Sequence, residues 1–129
     1  MFRILIIIIL HAFADFFVQG RKVRKFKIFK LPVLLEHVGI YTFIFVIFSP
    51  LLLGLKPLQG LVFSLLNGAL HLLIDFITGK LKEKYQYKNE YKFLLTISVD
   101  HTLHLIILIF TYMYFFPGAI NSFYGLTFN

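Results

Sequence analysis

Five histidines and three aspartates occur in this 129-residue sequence, and all eight fall within apolar stretches rather than in the polar connections. They are His11, Asp15, His37, His71, Asp75, Asp100, His101 and His104, with Glu36 beside His37. An ionisable side chain inside an apolar span costs about 2.5–3.5 kcal/mol on insertion scales, so each one asks for a compensating partner. His11 and Asp15, His71 and Asp75, and Asp100 and His104 are each four apart, and residues at i and i+4 share one helix face. Imidazole together with carboxylate is the usual ligand chemistry of Zn, Mn and Fe, whose charge offsets that of buried carboxylates. Water on such an ion has its pKa lowered toward ~7, and a neighbouring carboxylate can act as general base. The expected cofactor is a divalent metal ion (Zn, Mn or Fe), one or two, held among all eight residues. Asp15 and Asp100 are the candidate catalytic carboxylates.

The elements that position these groups extend the pattern. Ser64, Asn67, His71, Asp75 and Thr78 form a polar stripe, Gln19 prolongs that of His11 and Asp15, Tyr41 follows His37, and Thr96 precedes Asp100. Such stripes face a bundle interior, because a lipid face cannot hold them. The segment His11 to Phe16 matches His71 to Phe76 as H-x-x-x-D-F, and an acid-histidine pair follows each, Glu36-His37 and Asp100-His101. The two halves therefore read as copies related by a pseudo-twofold axis along the membrane normal.

Composition sets the class. The chain is 59% hydrophobic, 19% aromatic and 15% charged, with a mean hydropathy of +0.83. Those values exclude a soluble enzyme, a disordered tail and a fibrous repeat. With no cysteine, disulfide scaffolds, zinc fingers, cysteine nucleophiles and thiolate-held clusters are excluded too. Apolar stretches at 2–19, 31–53, 58–78 and 93–116 are long enough to cross a bilayer, and only helices satisfy their backbones there. The expected fold is all-α: a single transmembrane domain over 1–129, an integral membrane four-helix bundle built from two pseudo-symmetric helical hairpins.

Eleven of the 13 Lys and Arg residues lie in two connections on one side, Arg21 to Lys30 and Lys80 to Lys92. The positive-inside rule makes that side cytoplasmic, in a multi-pass protein of the cell inner membrane with both termini outside. Counted inward from there, the His and Asp residues share a layer roughly 6–18 Å deep. Arg21, Lys22 and Lys80, with Gln19 and Asn67, are candidate substrate contacts for a lipid headgroup. The basic runs are explained by topology and headgroup contact, and no nucleic-acid partner is expected. The opening segment has signal-peptide features ending in Ala12-Phe13-Ala14, but the dense basic run that follows disfavours export, so it is read as the first span.

H-E-x-x-H, G-x-S-x-G and P-loop signatures are missing. The four motifs H-A-F-A-D-F-F-V-Q (11–19), L-E-H-V-G-I-Y (35–41), N-G-A-L-H-L-L-I-D (67–75) and V-D-H-T-L-H (99–104) resemble the small bacterial and phage membrane proteins grouped as domain of unknown function 3307. That resemblance marks His11, Asp15, Gln19, His37, His71, Asp75, Asp100, His101 and His104 as motif positions and brings no activity with it. More distantly the layout resembles membrane-bound metal-dependent hydrolases. The expected function is a membrane-embedded metal-dependent hydrolase acting near the cytoplasmic headgroup layer on a lipid or lipid-linked phosphate or ester. Two alternatives use the same residues: a divalent-cation or proton transport component, and a haem-binding electron carrier. A four-span bundle has thin walls, so a homodimer is a further expectation.

Overall fold

The computed structural model describes residues 2–17 and 30–116; Gln19, Arg21 and Lys22 lie outside them. Four helices and no strand occur among the described residues: α1 (Phe2–Ala12), α2 (Leu31–Leu53), α3 (Pro57–Tyr85) and α4 (Glu90–Phe115). The end of α1 continues into a π-helical turn, Phe13–Phe17. The all-α expectation holds, and α2, α3 and α4 are long and apolar enough to cross a bilayer. The first H-x-x-x-D segment passes from α into π geometry, whereas the second is regular α-helix throughout.

Local chemistry sets the boundaries. Pro32 stands in the first turn of α2, and Gly54 caps its end in the left-handed region at φ 70°, where a Cβ would be strained. Pro57 opens α3 at a position whose N–H would be unpaired in any case. Asn89 caps α4, its side chain accepting from the Lys92 N–H at 2.8 Å. Helix α3 does not stop at 78. It runs on to Tyr85 and takes Lys82 with it into the helix.

α3 packs along both α2 and α4, and α1 lies across α2 and α4. Outward-facing positions are apolar, among them Phe43, Leu51, Leu58 and Phe110, as a lipid-facing surface requires. Inside, an apolar block that includes Ile7, Phe45, Phe63, Leu108 and Tyr112 fills the half of the bundle nearest the N-terminus of α1. Arg3 closes that end. Its guanidinium lies 4.6 Å from the centre of the Phe116 ring and packs against Gly54. The C-termini of α2 and α4 meet there, and their partial negative charge favours a cation.

Close approach of α2 and α3 rests on small residues four apart. Gly60, Ser64 and Gly68 line the face of α3 that meets α2. Ser64 donates to the Gly60 carbonyl at 2.6 Å and pairs with Ser49 at 3.2 Å. A Cβ on Gly60 would sit 2.6 Å from Pro50 Cγ, a rigid ring, and one on Gly68 would collide with Thr42 Oγ1. This is the small-residue contact that lets membrane helices pack without a hydrophobic driving force. Gly60→Leu or Gly68→Leu should therefore lower thermal stability in detergent by roughly 1–3 kcal/mol through overpacking. Gly39, which faces open space, serves as control. Gly39→Ala should leave stability unchanged or raise it by up to about 1 kcal/mol through helix propensity.

Candidate metal centre

Seven of the eight singled-out residues are buried: His11, Asp15, His37, His71, Asp75, Asp100 and His104. α1 and its π turn bring His11 and Asp15, α2 brings His37, α3 brings His71 and Asp75, and α4 brings Asp100 and His104. All four helices thus contribute to one polar layer. The π turn matters here, because its wider winding places Asp15 against α2 and α3. Single π turns inside α-helices recur at functional sites.

Three donor atoms converge most closely, and a fourth, from Asp75, lies against two of them. Asp15 Oδ1 lies 3.1 Å from His37 Nε2 and 3.7 Å from His71 Nε2. The two imidazole nitrogens are 3.0 Å apart. Asp75 Oδ2 lies 3.4 Å from His37 Nε2 and 3.5 Å from His71 Nε2. Ligands about 2.0–2.1 Å from a tetrahedral ion stand about 3.3 Å from one another. The five separations bracket that edge length. Two groups of donor atoms could hold a metal ion, Asp15–His37–His71 and His71–Asp75–His104, each with its atoms within 4.8 Å of one another. His71 belongs to both.

The surrounding contacts orient the rings. His104 Nδ1 donates to the Asp100 carbonyl at 2.8 Å. A carbonyl only accepts, so in the neutral ring the lone pair is on Nε2, which faces Asp75 Oδ1 at 3.8 Å. This is the support a metal-ligating histidine normally has. Tyr41 stacks on His71, with ring centres 4.1 Å apart, and its hydroxyl pairs with His11 Nδ1 at 3.2 Å. Among the described residues, His11 Nε2, His71 Nδ1 and His104 Nε2 find no hydrogen-bond partner. Buried polar atoms of that kind are costly when left unpaired, and the donor set of Asp15, His37 and His71 suits a divalent cation.

Other candidates lie further out. Asp100 is buried, but Thr78 donates to one of its oxygens and Lys82 Nζ stands 2.7 Å from the other. It approaches the His104 and His101 rings only to 3.9 Å. His101 is half-buried, donates Nδ1 to the Ile97 carbonyl at 2.8 Å and stacks on Phe16, outside both donor groups. Asn67 is engaged at both ends, its amide donating to the Phe63 carbonyl and its oxygen accepting from Thr111. Lys80 is exposed, over the Phe76 ring. Glu36 is exposed as well.

Lys82 is the participant that sequence reasoning missed. Counting it with the basic connection hid that it follows His71, Asp75 and Thr78 at helical spacing, which puts it on the same face.

No curated protein and no solved structure matches the chain significantly. One family model does match, and it covers residues 3–127. That match spans nearly the whole sequence, and the chain is a member of the family described as protein of unknown function (DUF3307).

Proposed function

We propose that this layer is a metal centre of a membrane-embedded hydrolase, in the cytoplasmic membrane, that acts on a lipid or lipid-linked phosphate or ester. The observation that carries the reading is the convergence of Asp15, His37 and His71 at about tetrahedral-edge separations, with Asp75 Oδ2 lying 3.4 and 3.5 Å from the two imidazole nitrogens. These four would hold the ion. When bound, a divalent ion supplies Lewis-acid polarisation of a phosphoryl or acyl oxygen and a lowered pKa for water.

The chain's own groups do the rest. His104 Nε2 and His11 Nε2, both facing the layer without a hydrogen-bond partner among the described residues, are placed to accept a proton from the attacking water or to donate one to the departing oxygen. Tyr41 fixes His11 through its hydroxyl, and the Asp100 carbonyl fixes His104. Lys80, exposed beyond the layer, is placed to meet an anionic headgroup. The lysines of the α3–α4 connection support a cytoplasmic placement of this end of the bundle.

A one-sided pocket is favoured over a transport path by what lies beyond the layer. Toward the Arg3 end the interior is packed with Phe45, Phe63, Leu108 and Tyr112, and the polar side chains among them, Ser49 with Ser64 and Asn67 with Thr111, are engaged with one another. Haem ligation would leave Asp15 and Asp75 without a role.

Elemental analysis of detergent-purified protein tests the centre. Wild type should carry metal in stoichiometric amount, and His71→Ala and Asp75→Asn should each lose roughly nine-tenths of it or more, since each removes a donor at the point of convergence. Metal-free wild type whose melting temperature ignores a chelator would reduce the layer to packing. The reaction is tested with phosphate- and ester-bearing lipids in mixed micelles. Turnover should disappear with chelator and return with Zn or Mn. His104→Gln should keep the metal while reducing turnover by about 10²–10⁴-fold, the range expected for a lost proton-transfer group. A His104→Gln protein with full turnover would remove that residue from the mechanism.

A further inference from the structure

Beside α1 the bundle is not filled. Ile6, Ile9, Leu10 and Phe13 from α1 and its π turn, with Phe48 and Leu52 from α2, line a groove of about 390 Å³. Their spacing gathers the first four on one helix face and the last two on another, and the volume falls in the range of small-molecule sites. The geometry points to a seat for one acyl chain of a glycerophospholipid, whose polar end then lies at the His–Asp layer. This rests on the reading of the layer as a hydrolase centre, and it narrows the substrate to an acylated lipid.

Direction is the first argument. Leu10 and Phe13 stand beside His11 and Asp15 in the chain, so one end of the groove is at the layer. Leu52 stands near Gly54, where Arg3 packs, so the groove leads from the layer toward that opposite end. Ile6 and Phe13 are about 10 Å apart along the helix axis. The lysines of the α3–α4 connection mark the other end of the bundle. A lipid in the leaflet on that side has its headgroup by the lysines and its tails pointing away from them. A tail in the groove runs in that same sense, with the lipid's polar end at the level of the donor atoms. Phe13 opens the π turn that also carries Asp15, so one local distortion serves both the groove wall and the layer.

The lining is the second argument. Six hydrocarbon side chains offer no hydrogen bond, and the polar neighbours turn elsewhere, His11 to Tyr41 and Ser49 to Ser64. Water or a polar peptide would lie there unpaired, whereas a hydrocarbon tail needs no partner. Ile9, Phe13 and Leu52 are exposed at the rim, so a tail enters sideways without leaving hydrocarbon. Lipid tails are as apolar as the groove itself. The seat therefore selects by fit, through dispersion contacts that an unfilled groove would forgo.

Photolabelling of the full-length protein tests this. The protein is placed in phosphatidylcholine vesicles with a minor fraction of phosphatidylglycerol carrying a diazirine midway along one acyl chain. After illumination, peptide mass spectrometry should find adducts several-fold more abundant on the groove residues than on Phe43, Leu58 and Phe110, which are exposed elsewhere. Ile9 and Leu52 are 59% and 44% exposed, so a larger side chain at either fills the groove without entering the core. Ile9→Trp and Leu52→Trp should each cut groove labelling several-fold and raise KM for a long-chain phospholipid, with bound metal unchanged. Even labelling of all exposed apolar positions overturns the inference, as does groove labelling that ignores both substitutions. The chain has no cysteine, so a disulfide-linked dimer formed by Ile9→Cys would show a second copy in the groove and overturn it too. Labelling requires neither metal nor turnover. A groove that labels in a protein without hydrolase activity supports the lipid seat and removes the reaction, and hydrolysis without groove labelling does the reverse.

Discussion

The price of placing carboxylates and imidazoles in an apolar bundle governs this structure. Neither lipid nor the packed interior solvates Asp15, Asp75, His37 or His71, so these groups are tolerable only beside one another or beside a cation. Their positions are consequently coupled across helices far apart in the sequence. The four-residue spacing on α3 turns His71 and Asp75 inward together. The π turn brings Asp15 to the same level from α1, and α2 needs only His37 to complete the set. The apolar exterior follows from the same constraint in reverse, because the groups that cannot face lipid have been collected inside.

Two kinds of packing hold that arrangement in register. At the layer itself, rings pack on rings: Tyr41 stacks on His71, and His104 lies tilted against His71 at 4.1 Å between centres. Beyond it, Gly60, Ser64 and Gly68 let α3 approach α2 closely enough for His37 and His71 to meet at 3.0 Å. A larger residue on that seam would act on the site without touching it, by separating the two helices that carry its central pair. Arg3 secures the opposite end, where its charge meets the C-termini of α2 and α4.

Much of this was legible from spacing. Hydropathy located α2, α3 and α4, and the periodicity of His71, Asp75, Asp100 and His104 gave their common inward face. The sequence left His101 and His104 both open, because the four-residue spacing from Asp100 pointed to His104 and the repeated acid-histidine pair pointed to His101. Helix geometry separates them: His104 lies one turn from Asp100 on the inward face, while His101 turns aside onto Phe16. Asn67 was legible as polar and inward, but its use as a clamp to Thr111 depends on a residue 44 positions away. The π turn has no comparable signature in Phe13-Ala14-Asp15-Phe16-Phe17, since it answers to the tertiary demand that Asp15 reach α2.

Lys82 shows why a residue's class can mislead when its register does not. As one lysine among five in a basic stretch it appears to belong to the headgroup layer, and its neighbour Lys80 does extend outward over Phe76. Two positions along a helix correspond to a rotation of about 200°, so the two lysines must face opposite ways. Lys80 meets solvent or headgroup, and Lys82 meets Asp100. The same short segment therefore contributes one exposed charge and another to the electrostatic balance of the buried layer, and which does which is settled by the phase set eleven residues earlier at His71.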